Sequence, residues 1–66
     1  MKFLVPDMTC GNCAKHIRQA IAGVDNAATV QIDLDGKLVE VASSASGQAL
    51  AEAIAAEGYT PTLLAD

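Results

Sequence analysis

Hydrophobic and polar positions alternate along the chain with two different periods, and the switches between them mark six short segments. Lys2 to Val5 is a brief extended run in which Phe3 and Val5 share a face, and Pro6-Asp7 closes it. From about Cys13 to Ala22 the apolar positions Cys13, Ile17, Ala20 and Ile21 recur at spacings of three and four, with Val24 continuing the series. That is one stripe of an amphipathic helix, and Gly23 is its natural stop. Ala28 to Leu34 then changes to period two: Val30, Ile32 and Leu34 face one way, Thr29, Gln31, Asp33 and Asp35 the other. Asp35-Gly36 signals a hairpin, and Lys37 to Ala42 returns with Val39 and Val41 on the inner face. Ser43, Ser44 and Ser46 offer N-caps for a second helix whose buried edge is Leu50 and Ile54, ending at Gly58. Thr60 to Leu64 is a last short strand, placed at a sheet edge by Pro61.

The order β-α-β-β-α-β implies an α+β chain. Two βαβ-type halves joined by a hairpin give a ferredoxin-like sandwich, a four-stranded antiparallel sheet with two helices on one face. The core expected from the pattern is Ile17, Ile21, Val30, Ile32, Leu50 and Ile54. At 66 residues the chain has room for a single core, so one domain over residues 1–66 is expected. A core this small commonly gains stability from a staple, a metal or a partner.

Charge narrows the function. Four Lys and Arg stand against eight Asp and Glu, a formal −4, and Lys2, Lys15, Arg18 and Lys37 are scattered. A nucleic-acid surface needs clustered cations, so that class is set aside. No apolar run approaches the ~18 residues of a membrane span, and Phe3-Leu4-Val5 is too short for a secretory signal. A cytoplasmic location is the expectation. Asp25, Asp33, Asp35, Glu40, Glu52 and Glu57 read as solubility charge, with no pair in the context of a catalytic acid and base.

The chemistry is concentrated in Met8-Thr9-Cys10-Gly11-Asn12-Cys13. Gly11 and Asn12 let the backbone fold back so that both sulfurs face one ion, and Cys13 falls in or beside the first helical turn, where the helix dipole favours a thiolate. Soft thiolates select soft ions, chiefly Cu(I), with Zn(II) a weaker competitor at a two-sulfur site. Zinc takes about four ligands in a closed tetrahedral site, and two cysteines with no further evident donor do not supply them. Cu(I) accepts near-linear two-coordination and remains open to a third thiolate. Two other readings compete. A dithiol oxidoreductase is opposed by the short chain, the lack of a tryptophan before Cys10, Asn12 in place of the usual proline, and the element order. A pair of incidental core cysteines is opposed by the polar residues around them.

Val5-Pro6-Asp7-Met8-Thr9-Cys10-Gly11-Asn12-Cys13 followed by a helix resembles the Met-x-Cys-x-x-Cys signature of heavy-metal-associated domains, closest to the bacterial copper chaperones of the CopZ type. Glu57-Gly58-Tyr59 before the last strand matches a second, weaker signature, and the similarity runs over essentially the whole chain. The resemblance implies that Cys10 and Cys13 bind Cu(I), that Met8 packs beneath the loop without ligating, and that Tyr59 faces the site from its own loop. Asp7 stands where many relatives have glycine. Thr9 stands where relatives selecting zinc or cadmium often have aspartate.

Other residues near the motif carry weaker signals. His16, three residues beyond Cys13, is a third-ligand candidate for zinc but more naturally a solvated helix residue. Lys15 and Arg18 serve either to offset a bis-thiolate charge or as an ordinary hydrated face. The expectation is therefore a non-enzymatic cytosolic Cu(I) chaperone that delivers its ion to a copper-transporting P-type ATPase by thiolate exchange. It is monomeric without copper, and copper is able to bridge two copies through four sulfurs. The alternatives are the metal-binding domain of a heavy-metal pump and a zinc-, cadmium- or mercury-binding protein.

Overall fold

A computed structural model describes residues 1–9 and 11–65. The elements run β1 (Lys2–Leu4), α1 (Gly11–Val24), β2 (Thr29–Asp33), β3 (Leu38–Ala42), α2 (Gly47–Ala56) and β4 (Thr62–Ala65). The strands form one sheet in the order β2-β3-β1-β4, and every neighbouring pair is antiparallel. This is the ferredoxin-like arrangement expected from the element order. β4 lies at an edge, where Pro61 beside it costs no ladder hydrogen bond.

Register lines up the apolar residues of one face, which is dry at β1 and β3 and open at β4, where Leu63 is 41% exposed. Ile32, Val39, Phe3 and Leu63 stand side by side across all four strands. Phe3, Val39 and Val41 then meet Ile17 and Ile21 of α1 and Leu50 and Ile54 of α2 in one cluster, so both helices cover the same face. The opposite face carries the alternate residues, among them the Lys2–Glu40 pair at 3.4 Å. Val30 and Ile32 pack against the cluster but stay half-buried, because β2 is an edge strand. α1 extends to Val24, beyond the Gly23 stop, and Val24 is left 40% exposed.

The turn between β2 and β3 differs from what Asp35-Gly36 suggests. Its left-handed residue is Lys37, with φ +58°, while Gly36 keeps an ordinary φ. The Lys37 N–H donates to the Leu34 carbonyl at 3.3 Å, and the Gly36 N–H donates to the Asp33 carboxylate at 3.1 Å. Such longer hairpin loops, in which a type I turn is followed by a left-handed residue, still match the strand twist. Gly36 matters for space: a Cβ there would lie 2.8 Å from Asp33 Oδ2.

α2 has both its ends defined. Of the three candidate serines, Ser46 is the N-cap, its Oγ accepting from the Ala49 N–H at 3.1 Å. Gly58, at φ +96°, closes the helix and donates to the Ala55 carbonyl at 3.0 Å. Ser43 serves elsewhere: its Oγ donates to the Asp25 carboxylate at 2.6 Å and accepts from the Ala45 N–H. This ties the end of α1 to the segment that leads into α2.

Candidate metal centre

The segment between β1 and α1 is built from its first residues outward. Val5 is fully buried, and the Met8 N–H donates to its carbonyl at 3.1 Å, closing a four-residue turn over Pro6 and Asp7. Proline at the second position presets φ for such a turn. Met8 is also fully buried and belongs to the core cluster, so the chain is anchored below the loop by a side chain packed away from solvent. Thr9 is exposed. Cys10 lies outside the described residues.

Cys13 is the third residue of α1 and half-buried, packed against the rim of the core. The first turn of α1 contains no acidic residue. The N–H groups at a helix start have no partner within the helix, and with no acidic side chain in that turn to compete they favour an anionic sulfur. His16, one turn further on, is exposed, as is Lys15. Arg18 ties α1 to the sheet, its guanidinium donating to the Val30 carbonyl of edge strand β2 at 3.0 Å. Among the described residues, no three His, Cys, Asp or Glu side chains are grouped so as to hold a metal ion.

Two further loops reach the Val5–Met8 turn, and neither contact is visible in the local sequence. From the β2–β3 hairpin, the Lys37 ammonium donates to the Met8 carbonyl at 2.8 Å, and the Lys37 carbonyl accepts from the Val5 N–H at 2.8 Å. From the segment between α2 and β4, Thr60 donates to the Asp7 carboxylate, through its N–H at 3.2 Å and its hydroxyl at 3.4 Å. Tyr59, adjacent to Thr60, is half-buried and packed against the core. Asp7 is thus a tie between the turn preceding the cysteines and the loop that carries Tyr59. Sequence reasoning missed Lys37 and Thr60 because they lie 29 and 53 positions from their partners.

The chain as a whole has counterparts among known proteins. The chain is 42% identical over 41 residues to the copper transport protein ATOX1 homolog of Dictyostelium discoideum, a match covering 62% of this chain and 61% of that protein. It superposes on the copper chaperone Atx1 from Synechocystis PCC6803 in its Cu2 form with a TM-score of 0.90 and 34% identity, covering 94% of this chain and 98% of the other. A gold-binding protein aligns with a TM-score of 0.89 and 39% identity, over 92% and 94% of the two chains. The model of the heavy-metal-associated domain matches residues 2–60, and with that match spanning both helices and three of the four strands, this chain belongs to the heavy-metal-associated domain family.

Proposed function

We propose that the chain is a cytoplasmic Cu(I) chaperone in which Cys10 and Cys13 hold the ion as a pair of thiolates. The observation that carries this reading is the position of Cys13 in the first turn of α1, half-buried above the core, where helix N–H groups stabilise a thiolate. Two soft anionic donors suit Cu(I), which is satisfied by two sulfurs, better than Zn(II), which competes weakly. The carboxylate of Asp7, the acidic group nearest the motif in sequence, is engaged by Thr60. The similarity to copper chaperones over nearly the full length of their chains supports the same conclusion. Met8 acts by packing beneath the loop, Tyr59 by covering the site from its side, and Thr9 by keeping a carboxylate out of the position before Cys10.

Transfer proceeds without catalysis by an acid or base in this chain, and the protein is not an enzyme. A thiolate of the recipient, a copper-transporting P-type ATPase, forms a third Cu–S bond. The Cu–S bond to Cys10 then breaks, and the thiolate released takes a proton from solvent. Copper stays monovalent throughout. Each step exchanges one copper–thiolate bond for another, so the overall driving force is small and direction is set by the recipient's affinity. The net charge of −4 suits a recipient with a basic docking surface.

Anaerobic titration with Cu(I) against a competing chelator, with X-ray absorption to count sulfurs, tests the reading. One equivalent bound by two sulfurs is expected, falling by at least about 100-fold in affinity when Cys10 and Cys13 are both replaced by serine. Unchanged Cu(I) uptake by the double variant would refute the assignment.

A further inference from the structure

The hairpin between β2 and β3 spends a left-handed backbone position on a lysine while a glycine stands next to it. At φ +58° a side chain with a Cβ is strained, and Lys37 has no short polar side chain of the Asn or Asp kind to offset this locally. Its side chain is instead committed elsewhere. The ammonium is half-buried and donates to the Met8 carbonyl at 2.8 Å, and the main-chain carbonyl of the same residue accepts from the Val5 N–H at 2.8 Å. Val5 and Met8 are the first and last residues of the turn that feeds the cysteine loop, itself closed by the Met8 N–H to the Val5 carbonyl at 3.1 Å. One residue, 29 positions away from Met8, thus grips that turn at both ends. Backbone strain kept at a position whose side chain reaches a functional segment points to a role in that segment.

We infer that Lys37 is a positioning residue for the metal loop: it fixes the carbonyl two residues before Cys10 and holds a positive charge on the segment that leads to the cysteines, whose loaded form is anionic. Two thiolates and one Cu(I) carry a net charge of −1, and a partly buried ammonium is screened less by salt than an exposed one. The left-handed backbone at residue 37 aims the side chain at the loop. This inference rests on the copper reading for its electrostatic half alone; the grip on the turn exists without metal.

Two substitutions separate this role from a structural one. Lys37→Gly and Lys37→Met both remove the ammonium, but only glycine relieves the left-handed strain, so the apoprotein of Lys37→Gly should melt above that of Lys37→Met. Cu(I) affinity, measured by chelator competition, should nevertheless fall by about 10-fold in both, the usual cost of losing an outer-shell partner. Amide hydrogen exchange from Met8 to Asn12 in the apoprotein should accelerate by about 10-fold in both, as expected for losing a charge-assisted hydrogen bond. Affinities that follow the melting temperatures, or that stay within about twofold of the parent, would overturn the inference. If the parent itself takes up no Cu(I), the copper reading fails on its own, and the exchange measurement decides: unchanged exchange in both variants overturns the grip, and faster exchange sustains it.

Discussion

A single half-buried carboxylate shows how much a charged group can be shaped by its neighbours. Asp25 follows α1 and accepts from the Ser43 hydroxyl at 2.6 Å and from the Ala27 N–H at 3.0 Å. The Ser43 hydrogen bond first, then the N–H groups of Ala27 and Ser44, hold its pKa below the ordinary 3.8. A depressed folded-state value means that the unfolded chain takes up the proton first. The stabilisation is therefore complete above 3.8 and is lost as pH falls through the lower folded value. Asp25→Asn should consequently be less stable than the parent near neutral pH, and the difference should shrink in acid below 3.8. Urea midpoints collected from about pH 7 down to about pH 2.5 would show it. A difference that holds constant over that range would assign the contribution to hydrogen bonding alone, without charge.

At the scale of elements, legibility followed the range of the interaction. The periods of two and of three to four arise from which face of a strand or helix is buried, so Phe3, Ile17, Val39 and Ile54 mark β1, α1, β3 and α2, the half-buried Val30 and Ile32 mark β2, and the exposed β4 was placed by Pro61. The cysteine motif stands out in the sequence because its chemistry is contained in four consecutive residues, with Cys13 alone of the pair among the described residues. The hairpin was placed correctly, yet the left-handed residue within it is Lys37 and not Gly36, since the four-residue loop between the paired Asp33 and Leu38 sets the conformation. The ties from Lys37 to Met8 and from Thr60 to Asp7 have no local pattern, and only the completed fold brings those loops together. The end of α2 shows the opposite case, where a single glycine is both signal and cause. Gly58 sits at φ +96°, with open space around the position a Cβ would take. Gly58→Ala should cost roughly 1–2 kcal/mol in equilibrium denaturation, arising from backbone strain and not from a clash. A loss within about 0.3 kcal/mol would mean that the helix ends in another conformation.

The whole molecule is small enough that any ion bound by the folded state would weigh heavily in its stability. A 66-residue chain is expected to be stable by roughly 3–10 kcal/mol. Phe3 stands in β1, between β3 and β4, fully buried beside Val39 and Leu63 and in one cluster with residues of both helices. Truncating such an aromatic to alanine costs about 3–5 kcal/mol, from about a third to all of that total. Phe3→Ala apoprotein should therefore melt at least about 12 °C below the parent, read by far-UV circular dichroism under anaerobic reducing conditions. A cation held by the folded state adds stability by mass action, about 4 kcal/mol when present at about 1,000 times its dissociation constant. Loading with Cu(I) should then recover most of the native signal in Phe3→Ala, because the loop beyond β1 and the first turn of α1 hold their geometry only when the sheet beneath them is formed. If the apo variant melted with the parent, Phe3 would not be central to the core. If copper bound but restored no structure, the metal loop would be folding independently of the sheet that presents it.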